Sequence, residues 1–177
     1  MQKNECEPYK RKFLYLILTV PMIILYIAIA VFFGQINVVF FAVYVSLFVF
    51  VALFMSYVCV YWQCPYVGKL APCVGGFCLP SSQIARLMNN AKRSKARYNT
   101  FLTLAYASFF GIILFPMYFL YVQGIVYLLG YIGIVVVYGL AFTLFICPVC
   151  GTRYVCPGGQ AAIKMKAAID SWCSRVF

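Results

Sequence analysis

Four apolar runs free of Asp, Glu, Lys and Arg divide the chain: Phe13 to Phe33, Val38 to Trp62, Phe101 to Val122 and Ile125 to Ile146. Each holds about 20 residues or more, what a roughly 30 Å hydrocarbon core requires of a helix rising about 1.5 Å per residue. Within a bilayer each backbone N–H and C=O must find its partner inside the protein, so runs of this kind fold as helices. The breaks Gly34-Gln35-Ile36-Asn37 and Gln123-Gly124 are too short for anything but hairpin turns. The expected fold class is an all-α membrane protein with four transmembrane helices. Composition agrees: 66% of residues are hydrophobic and 10% charged, against about 45–50% and 25% in soluble domains.

The charges fix an orientation. Fourteen Lys and Arg face three acidic residues, Glu5, Glu7 and Asp170, for a net charge of +11. Lys3, Lys10, Arg11 and Lys12 precede the first run. Lys69, Arg86, Lys92, Arg93, Lys95 and Arg97 lie between the second and third, and Arg153, Lys164, Lys166 and Arg175 follow the fourth. The two hairpin turns carry no charge. All the positive charge therefore falls on one side, which the positive-inside rule assigns to the cytoplasm, with both termini there. The expected location is the cytoplasmic membrane, with the first span as an uncleaved anchor. Basic residues flanking apolar runs point to an anionic leaflet of the lipid bilayer rather than to nucleic acid, and no aromatic stacking platform accompanies the Arg86 to Arg97 segment.

The same inventory excludes function classes. The chain has no histidine, so His-ligated haem, His-containing metal sites and His acid–base catalysis are out. No Asp, Glu, Lys or Arg lies within the spans, which argues against proton relays, voltage sensors and classical secondary transport. Pro21 and Pro116 are the kind of proline that membrane helices tolerate. Ala107-xxx-Gly111 is a small pair of the sort that lets helices approach. The many Tyr and Phe fit interfacial belts and bundle packing, with a ring-lined cofactor groove as the sharper alternative.

Chemistry, if present, lies in the cysteines. Six of the nine cluster just after the second and fourth spans: Cys64, Cys73, Cys78, Cys147, Cys150 and Cys156. In a reducing cytosol such clusters read as metal ligands or redox groups before disulfides. Cys6 and Cys173 stand alone, and Cys59 reads as a small apolar span residue. The sequences from Cys64 and from Cys147 both fit Cys-Pro-x-x-Gly-x4-Cys-x-Gly-Gly, offset by 83 residues. Each leads into a basic amphipathic stretch. The first, starting at Pro80-Ser81-Ser82, puts Ile84, Leu87, Met88 and Ala91 on one face; the second does so with Met165, Ile169, Trp172 and Val176. Both read as short interfacial helices. The chain thus divides into two duplicated two-helix halves, residues 1–100 and 101–177, related by an axis along the membrane normal, with a cytoplasmic Cys-rich cap.

Two cysteines per half make a four-thiolate site, the sulfur set that suits zinc or an iron–sulfur cluster. Cys64, Cys73, Cys147 and Cys156 are the symmetric candidates; Cys78 and Cys150 break the symmetry and can replace one of them. Over about eight residues, Cys147-Pro-Val-Cys150-Gly resembles the metal-binding knuckles of zinc ribbons and rubredoxins. That resemblance implies a turn whose amides donate to the ligand sulfurs. Val67 stands where the matching cysteine of a second knuckle would be. A dithiol/disulfide pair of Cys147 and Cys150, activated by Arg153, is an alternative.

No paired carboxylates, nucleophile–base set or phosphate loop occurs, so a non-catalytic role is expected. The segments after the second and fourth spans have about 38 and 31 residues, and chains so short usually need a metal or a partner to fold. The leading expectation is an accessory subunit that docks a metal-stapled cap onto a larger membrane complex or a cytoplasmic partner with an acidic face. The alternatives are a membrane-anchored iron–sulfur or rubredoxin-like protein for electron transfer or redox sensing, and a membrane thiol oxidoreductase.

Overall fold

A computed structural model of the protein describes residues 12–64, 67, 78–88, 94–150, 153, 154 and 156–176, with the side chains of 12, 78, 79, 149, 157 and 169–176 left aside. Among the described residues there are six helices and no strand: α1 (Lys12–Ile36), α2 (Val38–Tyr61), α3 (Cys78–Leu87), α4 (Lys95–Gln123), α5 (Ile125–Phe145) and α6 (Pro157–Val176). Four of them, α1, α2, α4 and α5, are long and apolar enough to cross a membrane, the architecture of an integral membrane protein.

The two hairpin turns are tighter than the sequence suggests. The break between α1 and α2 is a single residue, Asn37, because its side-chain Oδ1 accepts from the Val39 N–H at 2.8 Å and caps α2. Gly34, Gln35 and Ile36 remain helical. Such a cap satisfies one of the amides that a helix start leaves without a backbone partner. Between α4 and α5 the break is Gly124 alone, at φ 147°, a backbone conformation that favours glycine. Its N–H closes the end of α4 on Leu120 O and Tyr121 O.

The four spans close into a ring in which α1 packs on α2, α2 on α4, α4 on α5, and α5 back on α1. Lipid tails are as apolar as leucine, so the helices associate through packing rather than through hydrophobic exclusion. Aromatic rings supply much of it. Down the antiparallel α2–α4 seam, Tyr61 stacks on Tyr98 (4.3 Å between centroids) and Tyr57 on Phe101 (4.9 Å), while Phe40 meets Phe119 at a tilt (4.9 Å). Each turn forward on α2 meets a turn back on α4. Midway, Gly111 lies against Leu47, where an added Cβ would sit 3.3 Å from the leucine methyls. Ala107, its expected small partner, is exposed on the outer surface. Phe33 on α1 meets Tyr44, Phe115 and Phe119 from two other helices, at 5.0–5.3 Å. Ring pairs of this kind add about 0.5–1.5 kcal/mol each beyond area burial.

Among the described residues six tyrosines, Tyr15, Tyr26, Tyr44, Tyr57, Tyr131 and Tyr138, are buried. The Tyr131 hydroxyl donates to Ile113 O at 3.1 Å, tying α5 to α4. The outer surface is formed by Val, Ile, Leu and Phe side chains such as Phe13, Val38, Leu114 and Val137.

Both short helices fold back onto the spans that precede them, α3 on α2 and α6 on α5. Helix α3 starts at Cys78, two residues before the Pro80 expected from the sequence, and turns a different face to the bundle. Its small residues Ser81, Ser82 and Ala85 are buried, while Leu87 is 86% exposed. Small side chains let α3 lie close to α2, with Met88 Sδ accepting from the Ser56 hydroxyl at 3.4 Å. Ala91 lies outside the described residues. Helix α4 begins at Lys95, six residues before the apolar run does; the Ser94 N–H donates to the Tyr57 hydroxyl at 3.1 Å and fixes this start to α2.

Candidate functional site

The starts of α1 and α4, the ends of α2 and α5, and the short helices α3 and α6 share one end of the bundle. Tyr15 meets Phe142 there at 6.0 Å, as Tyr61 meets Tyr98. The exposed basic residues Arg86, Lys95, Arg97, Lys164 and Lys166 lie at this end, together with the candidate cysteines Cys64, Cys147, Cys150 and Cys156.

Cys64 is positioned by the way α2 ends. Gln63 takes a left-handed conformation (φ 52°) and donates to Val60 O at 3.2 Å, while Cys64 N–H reaches back to Cys59 O at 3.0 Å. This pair of bonds is a Schellman motif, with Gln63 at the position where glycine is usual. The motif folds Cys64 onto the helix it follows. Its side chain packs with Val67 and Met88 against a small cluster of Cys59, Val60 and Ala85 between α2 and α3. Cys59 is the buried apolar residue the sequence suggests.

The second cysteine segment leaves its span by another route. Helix α5 ends in a right-handed Ile146, and Cys147–Val149 forms one 3-10 turn in which Cys150 N–H donates to Cys147 O at 3.2 Å. Arg153 N–H then donates to Cys150 O, also at 3.2 Å. Both of these amides, of Cys150 and Arg153, bond carbonyl oxygens. Cys147 and Cys150 are buried and Cys156 is half-buried. Burial pushes the Cys147 thiol up to about 12, and the neighbouring Cys156 and Cys150 add to the effect. Cys156 also lies within electrostatic reach of Tyr106 on α4. None of these five cysteines (Cys59, Cys64, Cys147, Cys150, Cys156) is in a disulfide.

Helix α6 is held over this turn by glycine. Gly159 lies so close to Arg153 that an added Cβ would overlap the Arg153 backbone, whereas a Cβ on Gly158 would sit 3.8 Å from Cys156 Sγ, an ordinary contact. One turn further on, Ala162 is buried in the same core cluster as Phe142, Ile146 and Cys147. Gln160 supports the turn from above, its Nε2 donating to Tyr154 O at 2.8 Å.

The structure therefore gathers Cys147, Cys150 and Cys156 around the end of α5 and anchors Cys64 beside α2 and α3. Cys73 and the side chain of Cys78 lie outside the described residues. Among the described residues, no three Cys, His, Asp or Glu form a group that could hold a metal ion. The reading of the many Tyr and Phe as bundle packing fits the buried tyrosines, of which Tyr26, Tyr44, Tyr131 and Tyr138 fall in the interior of their spans, where an interfacial belt does not reach. No family model matches the chain, and no curated protein or solved structure shows significant similarity to it.

Proposed function

We propose that the protein is a non-catalytic accessory subunit of a larger membrane complex, with its basic end facing the cytoplasm as the docking surface. One observation carries this reading: α3 and α6 both fold back onto the bundle and leave basic residues exposed on the same end, beside a buried group of thiols. Arg86 on α3, Lys164 and Lys166 on α6, and Lys95 and Arg97 at the start of α4 make a surface suited to an acidic partner.

In this proposal a thiolate-bound metal, zinc or an iron–sulfur cluster, staples the cap. Cys147, Cys150 and Cys156 are the nearest set, with further ligands from Cys64, Cys73 or Cys78. Thiol chemistry supports it, since a cation offsets the mutual repulsion of neighbouring thiolates and displaces their protons. The repeated cysteine pattern supports a duplication of residues 1–100 and 101–177, and the return of α3 onto α2 and of α6 onto α5 is the structural counterpart. The two Cys-Pro sites leave their spans through different turns, so the duplicated halves have diverged locally.

A second reading, electron transfer from an iron–sulfur centre, is favoured by aromatic rings in contact next to Cys147: Phe142 meets both Tyr15 (6.0 Å) and Tyr138 (5.6 Å). The docking reading is tested by lysine cross-linking in native membranes, followed by mass spectrometry. The expected result is cross-links from Lys95, Lys164 or Lys166 to acidic segments of another polypeptide. A protein that cross-links only to itself, at native abundance, would overturn it.

A further inference from the structure

Between the 3-10 turn and α6 lies an open groove of about 290 Å3, lined by Pro148, Arg153, Tyr154, Ile163, Lys166 and Ala167. One wall is cationic and held in place. The Arg153 guanidinium donates through Nη1 to Pro148 O at 3.0 Å and through Nη2 to the Tyr154 hydroxyl at 3.2 Å, and it lies 4.8 Å from the Tyr154 ring centre. The close approach of Gly159 fixes the Arg153 backbone beneath it. These bonds use part of the donor fork, and a planar guanidinium with donors to spare is the side chain best matched to phosphate oxygens. Lys166, exposed on α6, adds a second positive charge, and Ile163 and Ala167 add apolar surface.

The groove also has a definite depth. Ala162, next to Ile163, packs with Phe142 and Ile146, residues of the last turn of α5 and the position just after it. The groove therefore opens where the apolar span gives way to the basic end, at the level of lipid phosphates. From this juxtaposition we infer that the groove binds the phosphodiester headgroup of an anionic lipid: Arg153 and Lys166 take the phosphate, and Ile163 and Ala167 lie along the glycerol and the first carbons of a chain. A free phosphate ion would meet the same cations but would leave the apolar side uncovered. The inference does not depend on the metal or on a docking partner.

The test uses the full chain purified in detergent and offered equal amounts of phosphatidylglycerol and phosphatidylcholine, with retained lipid read by native mass spectrometry. The wild type should prefer phosphatidylglycerol about thirtyfold, given two cations near the surface. Lys166→Gln should cut that preference about fivefold, Arg153→Lys should weaken it while keeping the charge, and Lys164→Gln, outside the groove lining but on the same basic surface, should cost less than Lys166→Gln. Lys166 is solvent-exposed, so the result stands whether or not Arg153 variants fold. No preference in the wild type, or equal losses in the Lys164 and Lys166 variants, would overturn the inference. So would displacement of the bound lipid by millimolar inorganic phosphate, which would make this a free-phosphate site.

Discussion

Gly159, in the first turn of α6, rests directly on the backbone of Arg153, leaving no room for a side chain between them. This contact gives the second glycine of Cys156-Pro-Gly-Gly a physical reason: it lets α6 close over the turn that carries Cys147 and Cys150. Gly159→Ala forces backbone against backbone and should cost about 1–3 kcal/mol, as overpacking does. Gly158→Ala meets only Cys156 Sγ at 3.8 Å and should change stability by about 0.5 kcal/mol or less. Thermal unfolding of both variants in detergent separates the two cases; equal effects would contradict the close contact.

The end of α2 offers a gain rather than a loss. Gln63 occupies the left-handed position of the Schellman motif (φ 52°), where a side chain costs roughly 1–2 kcal/mol relative to glycine. Gln63 is exposed, so Gln63→Gly removes the strain and little packing. It should raise the unfolding free energy by about 1 kcal/mol, measured by denaturant titration in mixed micelles. A destabilised variant would show that the side chain has a role the backbone geometry does not explain.

Two buried tyrosines on α5 and α2, helices opposite each other in the ring, should respond oppositely to loss of a hydroxyl. Tyr131→Phe removes the bond to Ile113 O and should cost about 0.5–1.5 kcal/mol. The Tyr44 hydroxyl is buried and finds no hydrogen-bond partner among the described residues. Tyr44→Phe should therefore be neutral or stabilising by about 1 kcal/mol, because it removes a desolvated polar group. Unfolding curves for the two variants decide the point.

The cap thiols should differ in reactivity once any metal is stripped. A raised pKa keeps Cys147 protonated through neutral pH, and the thiol is a poor nucleophile in that form. Half-buried Cys156 should alkylate with iodoacetamide first at pH 8, and Cys147 last. Raising the pH through the ordinary thiol range near 9.0 should speed Cys147 little, since its own ionisation lies at about 12. Peptide mapping after timed alkylation reads the order. Fast labelling of Cys147 at neutral pH would contradict its burial.

The spans were legible in the sequence because a bilayer permits few solutions: an apolar run of sufficient length must be a helix, and the observed helices match the four runs closely. Three details were not legible, each for a local reason. Asn37 narrows the first hairpin to one residue through its side-chain cap. Tyr57 extends α4 back to Lys95 by accepting from Ser94. Ser81, Ser82 and Ala85 outweigh Leu87 as the packing face of α3, because close approach to α2 rewards small side chains and a membrane surface does not penalise an exposed leucine. The candidate site was legible as six cysteine positions, but not its grouping. Only the turn geometry shows that Cys64 is drawn to α3, while Cys147, Cys150 and Cys156 gather around the end of α5.

In the proposed function a thiolate-bound metal holds the basic cap together. Metal content with an ultraviolet–visible spectrum, taken on anaerobically purified protein, tests it most directly. The expected result is one zinc or one iron–sulfur cluster per chain, lost together with cap stability in Cys147→Ser; visible bands that bleach on reduction would select the electron-transfer reading. A protein free of zinc and iron, with every cap thiol titratable and its unfolding unchanged by chelator, would contradict it.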